Sequence, residues 1–349
     1  MRALRLTTWH QEATLVDLPD PVPGPGEVVV RIGGAGLCHS DLHLMHGVGD
    51  TVPFTMPFTL GHENAGWVHT VGAGVTSVEV GQSVAVYGAW GCGACSRCHV
   101  GMENYCDGPR RPAGGAGGGL GLDGGMADFL LVPDARYLIP LPDGLSPAEA
   151  APLTDAGLTP YHAVRRSQTK LGPLSTALVI GAGGLGHLAV QVIKATSAAR
   201  IIVVDTKPEA LELALSLGAD LALEAGDSVV REVRAATGQH GADVVLDCVG
   251  SDATLATAMK CTRSLGDLTL VGVAGGSIPF GFLSAPYEMS VQSTYWGSRP
   301  ELAEVLDLAA RGLLRAETTT YSLDQALTAY RALAAGDIVG RAVVVPHTC

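Results

Sequence analysis

Charge is scarce in this chain: Asp, Glu, Lys and Arg make up 16% of its 349 residues, against about 25% in ordinary soluble domains. Aromatics are scarcer still, at 5%. The charge present is acidic, 22 Lys and Arg against 34 Asp and Glu for a net −12, the wrong sign for a general nucleic-acid binder. The longest charge-free run, 171–193, spans 23 residues, but five glycines, a proline and the polar Ser175, Thr176, His187 and Gln191 interrupt it. It suits a buried soluble core rather than a lipid-facing helix, and no membrane partner is expected. Residues 1–8 alternate as a strand, without the apolar stretch of ~7–15 residues that a secretory signal needs, so the expected compartment is the cytoplasm. There is no His-Glu-x-x-His helix, since Glu63 is followed by Asn64, Ala65 and Gly66, and no Gly-x-Ser-x-Gly elbow. Zinc protease and serine hydrolase chemistry lose their main support.

What is abundant is glycine, 46 residues, within a chain that is 47% hydrophobic. The length predicts two domains. Up to about residue 152 the chain reads as short strands broken by Pro and Gly, at 28–32, 66–71, 83–87 and 129–132, with little helical periodicity. Beyond 153, strands at 176–180, 201–205, 243–247 and 268–273 alternate with helices at 184–196, 208–217, 228–237 and 253–261. That alternation predicts parallel βαβ units in an α/β fold. Two helices, 300–311 and 323–335, and a strand at 342–345 are expected to return to the first domain.

Gly-x-Gly-x-x-Gly occurs twice. At Gly181, Gly183 and Gly186 it follows a strand and opens a helix, the setting in which glycines make a tight turn and bring backbone amides and a helix N-terminus to a pyrophosphate. Asp205 ends the next strand, placed to bind ribose hydroxyls, and with no adjacent arginine this favours NAD over NADP, although Lys207 lies close. The second match, Gly119, Gly121 and Gly124, has no such context and reads as a chance match in a mobile Gly-rich loop, 113–125.

Four of the eight cysteines, Cys92, Cys95, Cys98 and Cys106, lie within fifteen residues. Four thiolates suit a closed tetrahedral zinc of structural role. An iron–sulfur cluster and a pair of disulfides are the competing readings. Cys38, in Cys-His-Ser-Asp-Leu-His, and His62, in Gly-His-Glu, could be ligands or plain packing residues. Cys248, Cys261 and Cys349 carry no assignable role.

Gly-His-Glu, the four-cysteine loop and the dinucleotide turn, in that order and across essentially the whole chain, resemble the zinc-dependent medium-chain alcohol dehydrogenases. The resemblance implies a GroES-like β-rich catalytic domain over 1–153 and 298–349 and a doubly wound Rossmann domain over 154–297. It implies Cys38 and His62 as catalytic zinc ligands, Glu63 behind them, Asp41 orienting His62, and Ser40 with His43 as a proton relay. It further implies His39, Thr159 and Arg341 as cofactor contacts beside Gly184 and Leu185 of the turn. Where the best-known members carry a second cysteine ligand this chain has Asp155, which looks like the bacterial secondary-alcohol enzymes and keeps the ligand charge unchanged. The alternative is that Asp155 caps the following helix.

The implied reaction is hydride transfer between a secondary alcohol and NAD+, with two zinc ions per chain and a homodimer or homotetramer as the assembly. Phe54, Tyr295 and Trp296 are candidate walls of the substrate pocket, or core packing. A polyol, primary-alcohol or aldehyde-reducing enzyme, and a zinc-stabilised dinucleotide sensor without turnover, are the alternatives.

Overall fold

The computed structural model describes residues 1–47, 51–109, 111–112 and 115–347; residues 113 and 114 of the Gly-rich segment and Cys349 lie outside that set. The chain divides into two units, Met1–Leu158 with Trp296–Arg311 and Ala316–Cys349, and Thr159–Tyr295 with Gly312–Arg315.

The first unit is built on a seven-stranded sheet. At its centre lies the Val28–Gly36 strand, buried along almost its whole length and hydrogen-bonded antiparallel to Glu63–Val71, to Phe129–Val132 and, at its end, to Arg341–Val344. Its apolar VVVRI opening is what a strand covered on both faces requires. Ser83–Val86 and Leu138–Pro140 extend the sheet on one side, and Thr318–Tyr321 on the other. Arg2–Leu6, Thr14–Asp17 and Phe58–Thr59 form a smaller antiparallel sheet. The region read as having little helical periodicity holds a helix that matters, His39–His46. Cys38 is its N-cap, and the Asp41 carboxylate accepts from the Cys38 backbone N–H.

The second unit is a six-stranded parallel sheet ordered Leu221–Glu224, Arg200–Asp205, Thr176–Ile180, Ala242–Asp247, Thr262–Leu270, Ser290–Ser293. Numbered along the chain this is 3-2-1-4-5-6, the doubly wound order of dinucleotide-binding sheets. Leu178, Ile202, Val245 and Leu268 from four adjacent strands meet Val233 and Ala258 from helices Val229–Ala236 and Asp252–Cys261 in one core. Each large side chain buried there contributes about 1.5–3 kcal/mol. The charge-free run becomes the Thr176–Ile180 strand, the turn and the Gly186–Thr196 helix. Among the described residues no helix is long and apolar enough to cross a membrane.

Several boundaries differ from expectation. The helix after the turn starts at Gly186 rather than 184, because residues 181–185 are spent on the turn itself. Asp155, Trp296 and Gly297, expected in the second domain, belong to the first unit. The cause at the first crossing is visible: Ala151–Thr154, fully buried, packs on the Val28–Gly36 and Glu63–Val71 strands and carries Asp155 with it.

Candidate active site

Cys38, His62 and Asp155 arrive from three places in the first unit. Cys38 follows the Val28–Gly36 strand, and His62 precedes the neighbouring strand, where Glu63 pairs with Gly36. Asp155 ends the buried Ala151–Thr154 turn. Their ligand atoms and that of Glu63 all lie within 4.8 Å of one another. His62 Nε2 is 3.5 Å from Asp155 Oδ2, and a tetrahedral ion with bonds near 2.1 Å spaces its ligands by about 3.4 Å. The donors fit zinc in number, chemistry and separation. The Asp155 carboxylate faces the imidazole, and the next helix, Leu158–Arg166, begins three residues later.

Asp41 sets the orientation of His62. It is completely buried, and its Oδ1 lies 3.1 Å from His62 Nδ1, which leaves Nε2 facing Cys38 and Asp155. Its Oδ2 accepts from the Tyr330 hydroxyl at 2.8 Å and from the Cys38 N–H at 3.1 Å. Tyr330, fully buried on the Ala326–Ala335 helix, is a site residue that sequence reasoning missed. Burial opposes a charge on His62, but Asp41 and Asp155 outweigh it and hold the imidazole well above its usual pKa. Burial likewise opposes the Cys38 thiolate, yet the His62 hydrogen bond and the Arg341 charge bring that thiol down. Arg341 is buried in an ion pair with Glu63 that keeps the guanidinium charged.

The Gly-rich segment is not a mobile loop where it is described. Gly117–Gly119, Gly121, Gly124 and Gly125 are buried, and their backbone is pressed against the residue before His62. Gly125 N–H donates to Gly61 O at 2.9 Å, and so does the Asn64 side chain. A Cβ on Gly124 would stand 2.3 Å from Gly61 O, and one on Gly119 2.4 Å from Gly61 C. Gly61 itself sits at φ 93°, in the left-handed region where only glycine is unstrained. The second glycine motif is a backbone brace for His62.

Ser40 and His43 share a face of the His39–His46 helix, three residues apart. Ser40 Oγ lies 3.6 Å from Cys38 Sγ, and burial lowers the His43 pKa. His39 is exposed at the start of this helix. Trp296, 4% exposed, meets the His62 ring edge to face with centroids 6.0 Å apart. Phe54 packs edge to face on Phe58. Tyr295 belongs to the second unit and is 40% exposed.

In the four-cysteine loop, Cys95 Sγ is 3.5 Å from Cys98 Sγ and 3.9 Å from Cys106 Sγ, and Cys92 Sγ is 4.0 Å from Cys98 Sγ. Four sulfurs at 2.3 Å from one ion would be about 3.8 Å apart. The loop thus presents a closed zinc-sized tetrahedron, and no disulfide is present among the described cysteines. The Ala94 N–H points at Cys92 Sγ and brings that thiol down to about 6.

In the second unit Gly181 takes φ 86°, and a Cβ on Gly186 would lie 1.8 Å from Gly181 O. A Cβ on Gly183 would meet nothing within 4 Å. The outer two glycines close the turn on itself, while the middle one faces open space of the kind a pyrophosphate needs. Asp205 binds the turn from below, accepting from Ala182 N–H at 2.6 Å and Lys207 N–H at 2.9 Å. Gly184 and Leu185 complete the turn, and Thr159 is buried near the start of Leu158–Arg166.

Known proteins resemble this chain over nearly its whole length. The family profile described as alcohol dehydrogenase GroES-like domain matches residues 24–143, and that described as zinc-binding dehydrogenase matches 184–311. An NAD-dependent alcohol dehydrogenase of Sulfurisphaera tokodaii is 37% identical, covering 99% of this chain and 100% of its own. The crystal structure of an alcohol dehydrogenase from Aeropyrum pernix superposes with a TM-score of 0.91 at 36% identity, covering 99% of this chain and 100% of the other. The acetophenone reductase of Geotrichum candidum, solved with NAD, gives 0.86 at 32% identity over 99% and 96%.

Proposed function

Because the chain belongs to the zinc-dependent medium-chain alcohol dehydrogenase family, we propose that it interconverts a secondary alcohol and a ketone with NAD+ and NADH. The observation that carries this reading is the convergence of Cys38, His62 and Asp155 on one tetrahedral corner set with Asp41 behind the imidazole. Bound there, zinc supplies Lewis acidity toward a hydroxyl oxygen, and NAD+ at the Gly181–Gly186 turn supplies the hydride acceptor.

The chain's own residues do the rest. Cys38 and Asp155 provide two negative charges against a dication, and Asp41 holds His62 with Nε2 toward them. Ser40 would begin the proton relay that ends on His43, whose partial burial favours the neutral imidazole. In the second unit Gly183 would leave room for the pyrophosphate, and Asp205 would read the ribose. Thr159 would be a further cofactor contact in the second unit. Glu63 fixes Arg341 beneath the ligands. Trp296, beside His62, and Phe54 would wall the pocket of the first unit. The four-cysteine loop holds the second zinc.

The acetophenone reductase among the relatives supports a ketone with a bulky substituent over a small primary alcohol or a polyol. Free thiols crowded into one loop support a reducing compartment, the cytoplasm. Phe280, Phe282, Leu283 and Tyr287, between 60% and 90% exposed, support a homo-oligomer. The test is steady-state rates with 1-phenylethanol and 2-propanol against ethanol and sorbitol, each with NAD+ and NADP+. Secondary alcohols with NAD+ are expected to give the highest kcat/KM, and a preference for sorbitol, for ethanol or for NADP+ would overturn the assignment.

A further inference from the structure

We propose that Arg299, held by Gly101 and Glu103 of the four-cysteine loop, is a positioning residue that sets the Trp296 indole against His62. Trp296 has φ 55°, a left-handed backbone that a bulky residue keeps only when its surroundings enforce it. Two tethers follow within three residues. The Gly297 carbonyl accepts from the buried Tyr87 hydroxyl at 2.7 Å. Arg299 N–H donates to Gly101 O at 2.8 Å, while its guanidinium Nε is 3.2 Å from Glu103 Oε1. Ring contact completes the fit, since a Cβ on Gly88 would stand 2.5 Å from the indole.

Gly101 and Glu103 lie between the third and fourth cysteines, so closure of the sulfur cluster decides where they stand. Gly101 N–H donates to Cys98 O, and Cys106 N–H to Glu103 O. Gly101 takes φ 75°, and a Cβ there would come 2.5 Å from Pro300 Cδ, so the returning chain is seated directly on the loop. Glu103 is completely buried, and one of its oxygens is without a hydrogen-bond partner. Stability of a small loop gives no reason for a buried carboxylate, which is costly unless paired. Its partner lies 196 residues further along the chain. The loop therefore acts as a clasp on the Trp296–Pro300 segment, and the side chain it places is the one beside a ligand of the other metal set. This rests on the reading of His62 as part of the reactive centre.

The experiment compares Arg299→Met, Arg299→Lys and the isosteric Glu103→Gln with the unaltered chain, each carrying cobalt at the Cys38 set and zinc at the cysteine loop. Arg299→Met and Glu103→Gln are expected to keep both metals, to speed amide exchange across residues 296–299 by about tenfold and to shift the visible cobalt bands. KM for 1-phenylethanol should rise by about tenfold with kcat within about twofold. Arg299→Lys should recover part of each change. Unchanged exchange and unchanged cobalt bands in either folded variant would overturn the proposal, as would rapid exchange across 296–299 in the unaltered chain. The exchange readout does not depend on turnover, so it decides the proposal even if no alcohol proves to be a substrate.

Discussion

The two candidate metal sets are assembled in opposite ways. Cys92, Cys95, Cys98 and Cys106 come from a single fifteen-residue loop and offer one kind of donor. Cys38, His62 and Asp155 come from two strand ends and a buried turn, and offer sulfur, nitrogen and oxygen. A local set needs little beyond its own loop to close. A dispersed set depends on everything that fixes the positions of its carriers, and those supports are specific: Tyr330 on Asp41, Arg341 on Glu63, the glycine backbone on Gly61. Three donors would leave a coordination position for substrate, whereas four sulfurs leave none. The dispersed set is thus the one exposed to disturbance from a distance.

The strongest way to separate the sets is to remove a ligand from one of them. Asp155→Ala is expected to lower bound zinc from about two to about one per chain and to abolish turnover, with the cysteine loop still loaded; two retained ions with full activity would sink the ligand assignment. Next is the brace. Gly124→Ala drives a Cβ toward Gly61 O and should cost about 1–3 kcal/mol of stability in denaturant titration, together with a loss of metal from the His62 set alone; metal lost equally from both sets would erase the distinction. The mildest is Tyr330→Phe, which keeps the ring and removes the hydroxyl from Asp41. Metal affinity at the dispersed set should fall by about tenfold, the low end for a group behind a ligand, as read by competition with a chelator, while the cysteine loop is unaffected.

The same contrast decides what could be read from sequence. Cysteine spacing announces a local set, and the strand–glycine turn–helix register announces the dinucleotide site, because both are written in contiguous residues. The alternating second unit was legible for the same reason, apart from its weaker strands Leu221–Glu224 and Ser290–Ser293. Leu221–Glu224 contains no β-branched or aromatic residue. For Cys38 and His62, bare spacing left ligand and packing open, and resemblance to the family supplied the roles. Tyr330 lies 289 residues from Asp41, and no periodicity links them. Gly119 and Gly124 were mistaken for a loose loop because glycine is the residue of flexible turns and of close backbone approach alike. Only the distance to Gly61 separates the two meanings.

The first unit is discontinuous along the chain, and this bears on the order in which a ribosome could build it. Its central Val28–Gly36 strand pairs with Arg341–Val344, which is made only after the whole second unit. Until then Glu63 has no Arg341 and Asp41 no Tyr330, so two buried carboxylates stand without their final partners. The second unit draws all its strands from residues 176–293 and can close while the first is still waiting. Of the two metal sets, the cysteine loop has all four of its thiols within residues 92–106, ahead of the second unit. The dispersed set acquires Tyr330 and Arg341 only after the strands of the second unit are made, so a nascent chain interrupted there would have a finished parallel sheet and an unfinished dispersed set.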